Sequence, residues 1–186
     1  MKRLLFVLAL VLFYIAYIYK NNTWASFVTQ GSAYGNILRY KNTFIIGTSA
    51  HKLYFLDINN PNNASDLDLN NFDVNPQAII GKNVIVSAND SLFEIRIDKK
   101  QKKWKFVEEN GYDFEKVAVS GSLIFATSKD GSLYALEIGS GNKKWKFSPS
   151  ELENLTDIQL GNRLYYFVGK GKFSKIIKPV TQLNVR

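Results

Sequence analysis

Cysteine is absent from the 186 residues. That excludes disulfides, thiolate metal sites and a cysteine nucleophile. Histidine occurs once, as His51, so a multi-histidine metal centre is excluded as well. After Lys20 no stretch keeps an apolar period of 3.6 residues, so no helix is expected there. What is present is ordinary for a folded chain: 46% hydrophobic and 22% charged residues, which rules out wholesale disorder. The length allows one domain, or one domain with an appendage. Lys and Arg outnumber Asp and Glu by 24 to 16, a net charge of +8.

The N-terminus differs from the rest. Met1-Lys2-Arg3 precedes Leu4 to Tyr19, a run without a charge, glycine or proline, closed by Lys20. A helix apolar on every side has no face to show water, which leaves two membrane readings. A cleaved signal peptide would use Thr23-Trp24-Ala25 as its small-residue site. An uncleaved anchor is slightly short of the usual span, but Tyr14, Tyr17 and Tyr19 suit an interfacial belt. The anchor is the reading adopted: residues 1–20 form a single transmembrane helix, and residues 21–186 form the folded domain. Lys2 and Arg3 then stay cytoplasmic, so the domain faces the periplasm or the extracellular side.

The domain is repetitive. Aligned at positions 41, 81, 121 and 161, it places Phe44, Val84, Ile124 and Leu164 in register, and likewise Leu53, Leu92, Leu133 and Phe173 with one deletion in the second copy. Trp104 and Trp145 recur, and Trp24 stands eighty residues before Trp104. The third copy reads as four strands, A to D: Lys116–Ser120, Leu123–Ser128, Ser132–Ile138 and Lys143–Phe147. Asp130-Gly131 between B and C is a hairpin signal, read as a turn with both central residues at positive φ. Four strands per period of about 40–45 residues mark a propeller blade. The expected fold is all-β, a propeller of about four four-stranded blades forming a small closed ring or an arc.

Asp130-Gly131-Ser132-Leu133-Tyr134-Ala135-Leu136-Glu137, followed by Gly141-Asn142-Lys143-Lys144-Trp145, resembles the quinoprotein-type (PQQ-like) β-propeller repeat. Asp90-Ser91-Leu92-Phe93 with Lys103-Trp104 resembles it less closely. The resemblance implies that Trp24, Trp104 and Trp145 pack between blades, and that Asp130, Gly131, Leu133, Tyr134 and Gly141 are repeat-structural residues. Members of this superfamily include quinone-dependent alcohol dehydrogenases, which hold quinone and calcium in the central funnel. Here no cysteine is present and no acidic cluster is placed for calcium. No catalytic, cofactor-binding or metal residue is assigned, and a non-enzyme without cofactor is expected. A small-ligand-binding or PQQ-dependent relative using the funnel is the alternative. An orphan D strand, Thr23 to Val28, stands available to complete the fourth copy. A closed ring, an arc pairing with a second copy into a homodimer, and a shortened relative of a larger propeller all remain open.

Turn parity sorts the charges. Lys41, Lys82 and Arg163 fall in A–B turns, and Lys99, Lys100, Lys102, Lys103, Lys143 and Lys144 in C–D turns, on one edge of the disc. Asp66, Asp68, Asp73, Glu108, Glu109, Asp113 and Glu115 fall in D–A connections on the other. The expectation is a basic edge whose lysines at 99, 100, 102, 103, 143 and 144 meet anionic lipid, and an acidic edge where Glu108, Glu109, Asp113 and Glu115 meet a protein partner. An extracytoplasmic address makes nucleic acid an unsuitable partner. Gly169-Lys170-Gly171-Lys172 lacks the strand-to-helix setting of a phosphate loop, and His51 is a turn residue. The reading is a membrane-anchored extracytoplasmic scaffold for protein–protein interaction, of the kind used in envelope protein assembly.

Overall fold

The computed structural model describes residues 28–60 and 63–148, together with the backbone of three further strands within 157–176. Fifteen strands and no helix occur among them. The first sheet holds β1 (Ala33–Tyr40), β2 (Thr43–Thr48), β3 (Lys52–Asp57) and β4 (Ala64–Asp68). The second holds β5 (Asn75–Ile80), β6 (Asn83–Ala88), β7 (Ser91–Arg96) and β8 (Gln101–Val107). The third holds β9 (Phe114–Ser120), β10 (Leu123–Ser128), β11 (Leu133–Glu137) and β12 (Lys143–Phe147). A fourth has three strands, β13 (Asp157–Leu160), β14 (Tyr165–Gly169) and β15 (Lys172–Ile176). Every pairing is between sequence neighbours and antiparallel. The first strands of successive sheets neighbour one another, β1 with β5, β5 with β9 and β9 with β13. The sheets therefore stand as blades around an axis lined by β1, β5, β9 and β13. The apolar run at residues 4–19 and the expected strand at 23–28 lie outside the described residues, save Val28, which is exposed. No helix among the described residues is long and apolar enough to cross a membrane.

Alternation along the middle strands explains why the blades stack. Val84 and Val86 of β6 pack with Ile45, Leu53 and Phe55 of the first sheet. Between them Ile85 points the other way, to Ile124, Tyr134 and Leu136 of the third. Both faces of β6 are covered, so it reads as a continuous apolar run, as strands buried on two sides do. The outer strand β8 alternates instead along Lys103–Val107, and both outer strands, β8 and β12, carry exposed lysines, Lys102, Lys103 and Lys105 on the one and Lys143 and Lys144 on the other. That is a common protection for a sheet edge.

Two expectations need correction here. Asp66 and Asp68 do not lie in a D–A connection. They sit on β4, opposite Tyr54 and Lys52, and the Lys52 ammonium lies 2.8 Å from Asp66 and 3.3 Å from Asp68. Cross-strand neighbours of opposite charge favour that extension of the strand. The Asp130-Gly131 turn has only Gly131 at positive φ, 79°. The loop spans three residues between Ser128 and Ser132, with Gly131 N–H donating to Ser128 O at 2.9 Å. Three-residue loops of this kind keep the second residue right-handed and place glycine third. The Asp130 carboxylate accepts from Ser128 Oγ, Ser132 N and Ser132 Oγ, which holds it there.

Trp104 and Trp145 are half-buried rather than fully buried. Trp104 packs into the core between the second and third sheets. A Cβ added at Gly141 of the third sheet would meet its ring at 2.5 Å, so Gly141 is the residue that lets the next blade approach. Trp145 packs on Phe125, Leu133 and Ala135, on the far face of the third sheet. Tyr134 is wholly buried, against Phe106 and Phe114 at 5.6 and 5.5 Å between ring centroids. Trp24 lies outside the described residues.

Candidate functional site at the axial mouth

Each of the three fully described inner strands is irregular near the end where a D–A connection delivers it. The register shifts between Tyr34 and Ile37 in β1, around Gln77 in β5 and around Glu115 in β9. Two extra residues in β1, Gly35 and Asn36, and one each in β5 and β9 make bulges at the same place in each repeat, and bulges re-aim side chains at rims. The bulges are laced together. Asn36 N–H donates to Asn75 Oδ1 at 2.9 Å, and Gln77 Nε2 donates to Ser87 Oγ at 2.9 Å and to Glu115 O at 3.3 Å.

These bulges surround a polar cavity of about 220 Å³ lined by Tyr34, Asp73, Asn75, Ser87, Asn89, Asp113, Phe114, Glu115 and Lys129. Lys129 Nζ donates to Asp113 Oδ2 at 2.5 Å, and its N–H to Asp113 O at 2.9 Å. Asp113 holds the ammonium above its ordinary pKa, with Tyr34 and Glu115 adding to the effect. Asp73 and Glu115 form no ion pair among the described residues. Asn89 Oδ1 is buried without a hydrogen-bond partner.

Around the mouth stand exposed aromatics. Phe72 is 58% exposed, Tyr112 47% and Tyr34 43%. Phe72 and Tyr112 are forty residues apart, and each is followed by an aspartate, Asp73 and Asp113. One repeated dipeptide at the end of the two described D–A connections thus supplies an exposed aromatic and a carboxylate to the cavity. This repeated pair was visible in the sequence, but the alignment there followed the strand cores and passed over it. The connections are pinned. Asn71 Nδ2 reaches Ser91 Oγ at 3.1 Å, and the Glu108 carboxylate accepts from the N–H groups of Asn110 at 2.6 Å and Tyr112 at 3.0 Å. His51 meets the Phe72 ring edge-on at 5.0 Å, with Nδ1 3.6 Å from Asp68.

The four acidic residues expected to meet a partner divide. Glu108 is buried and belongs to the interior. Besides the two N–H groups it accepts from the Tyr134 hydroxyl, and from Lys146 Nζ at 3.2 Å. Burial pushes its pKa up, but these donors outweigh burial and hold it below the ordinary glutamate value. Glu109 is paired with Lys143, and Asp113 with Lys129. Glu115 faces the cavity. The six lysines divide as well. Lys103 pairs with the buried Glu94 at 3.0 Å, Lys143 with Glu109, and Lys144 with Glu137 at 3.1 Å. Lys102 Nζ stands 5.8 Å from the centre of the Phe93 ring. Lys99 and Lys100 lie in the β7–β8 turn, while Lys102, Lys103, Lys143 and Lys144 are on strands, not in turns. The disc is therefore not split cleanly into a basic and an acidic edge. Partners of opposite sign are drawn together within blades, as Lys103 with Glu94, and between a blade and the connection before it, as Lys143 with Glu109, since pairing lowers the cost of holding them near a low-dielectric core. No group of three acidic or histidine side chains able to hold a metal occurs among the described residues.

The fold is a β-propeller, and solved structures share it. The computationally designed Ika8 protein matches with a TM-score of 0.70 and 16% identity, over 81% of this chain and 47% of that one. The computationally designed Ika4 protein matches with a TM-score of 0.71 and 15% identity, over 82% and 95%. BamB from Moraxella catarrhalis matches with a TM-score of 0.67 and 19% identity, over 81% and 48%. The chain thus spans about half the length of Ika8 and of BamB, and nearly all of Ika4. No family model and no curated protein matches the sequence, so the likeness to the PQQ-like repeat rests on the repeat residues themselves.

Proposed function

We propose that this propeller is a non-catalytic, membrane-anchored extracytoplasmic scaffold that takes a protein partner on the edge carrying the axial mouth. The observation that carries this reading is the pair of exposed aromatics at one repeat position, Phe72 and Tyr112, beside a cavity whose wall includes Tyr34. Aromatic side chains are enriched in protein interfaces and dominate their energetics. Here the loops that present them are held by Asn71 and Glu108, so little ordering remains to oppose binding. Glu108 therefore acts through Tyr112 and not by touching a partner.

The anchor at residues 1–20 belongs to this proposal. A short tether holds the opposite edge near the bilayer. Lys99, Lys100 and Lys102, which have no carboxylate partner among the described residues, are the lysines left for anionic headgroups. The full-length chain, captured from envelope extract in non-ionic detergent, should retain a partner. Replacing Phe72 and Tyr112 together with serine should lower its recovery by about tenfold or more, the scale of lost interface hot spots. Equal recovery from both proteins would reject the reading. A dye-linked quinone activity would favour the enzyme reading instead.

A further inference from the structure

We infer that the axial cavity is a binding site for an organic cation, a guanidinium or primary ammonium group. The repeat itself carries the argument. In the third blade the carboxylate that ends the D–A connection, Asp113, meets an ammonium from the following B–C turn, Lys129, at 2.5 Å. Forty residues earlier the same two positions hold Asp73 and Asn89. The chain supplies a cation at one repeat position and a neutral amide at the other.

The rest of the wall points the same way. Asp73, Asp113 and Glu115 against Lys129 leave two negative charges around the cavity. Asn89 lies on the same wall, and its Oδ1 has no donor, a condition that a donor-rich ligand relieves once a small side-chain rotation turns the oxygen to the cavity. A guanidinium offers five N–H donors in a fixed fork, an ammonium three, and neither accepts. Tyr34 on the wall adds a ring face of the kind that attracts cations. A metal ion lacks its ligand set among the described residues, and an anion meets the wrong charge. The cavity, about 220 Å³, admits such a group and its stem but is smaller than the usual sites for drug-sized ligands. The cation comes either from a lysine or arginine side chain of the proposed partner, in which case this inference rests on that reading, or from a free amine.

The test uses the full-length chain in non-ionic detergent, with N-acetyl-arginine amide as probe and N-acetyl-citrulline amide as its neutral counterpart, followed by calorimetry. The arginine probe should bind and the citrulline probe should bind at least about tenfold more weakly, the scale of a lost charge-assisted contact. Asp73→Asn should weaken arginine binding by about tenfold on the same scale. Asn89→Lys, which copies the Lys129 arrangement, should abolish it while the melting temperature stays within a few degrees. Equal binding of both probes, no binding of the arginine probe at millimolar concentration, or unchanged binding to a folded Asn89→Lys protein would each overturn the inference. Adding the arginine probe to the partner complex separates the two sources: displacement assigns the cation to the partner, and no displacement assigns it to a free amine. Phe72→Ser with Tyr112→Ser should lose the partner and keep the probe, so failure of the partner reading and failure of the cation site give different results.

Discussion

Two tryptophans at one repeat position meet different chemistry. Trp104 Nε1 donates to Glu94 Oε2 at 2.6 Å, and Glu94 also accepts from Asn83 and Lys103. Trp145 Nε1 is buried with no partner, because Ala135 stands where Glu94 stands one blade earlier. Trp104→Phe should therefore cost more than Trp145→Phe, by about 1–3 kcal/mol in urea unfolding, since it takes a donor from a buried carboxylate. Equal costs would show that the indole bond contributes nothing. Trp104 packs between the second and third sheets as the repeat pattern implies, whereas the described contacts of Trp145 lie within the third sheet. The difference between them lies at the facing position of the neighbouring strand, Glu94 in the second blade and Ala135 in the third, which an alignment on apolar positions passes over. Glu108 gives the pH prediction at this scale. Its folded pKa lies below the ordinary glutamate value of about 4.3. The folded state thus binds fewer protons than the unfolded state in that range, and the stability this group contributes near neutral pH is lost as pH falls through the folded value. Stability should drop as pH falls below about 5, and Glu108→Gln should flatten that drop while lowering stability at pH 7.

Strand by strand, the third blade matches its expected limits within two residues at each end, because its turns are punctuated by Gly121, Gly131, Gly139 and Gly141. The bulges in β1, β5 and β9 were not legible. One or two extra residues in an inner strand are absorbed by small variations in repeat length, and nothing in composition distinguishes Gln77 or Glu115 from an ordinary strand residue. Yet these bulges shape the mouth. Gln77→Leu removes the donor to Ser87 Oγ and Glu115 O. It should lower stability by about 1 kcal/mol, the net value of a typical hydrogen bond. It should also speed amide exchange at residues 114–116, read by mass spectrometry. Unchanged exchange there would mean that the lacing does not hold the rim.

At the scale of the whole molecule, turn parity groups the D–A connections on one edge of the disc, but it does not give the chemistry of that edge. Counting charges by turn treats each as free, whereas Lys143 with Glu109, Lys129 with Asp113 and Lys146 with Glu108 are paired in three dimensions. What remains available on the mouth edge, besides Asp73 and Glu115 in the cavity, is aromatic, and an aromatic in a loop is easily passed over when attention follows charge. The account's central claim is that a protein partner docks on this edge. A photo-crosslinking amino acid placed at Phe72 or Tyr112 of the full-length chain in its native membrane tests that most directly, with Lys99 and Ser122 on the opposite edge as controls. The account predicts a discrete crosslinked partner from positions 72 and 112 and none from 99 or 122. A partner captured from 99 or 122, or none from 72 and 112, would contradict it.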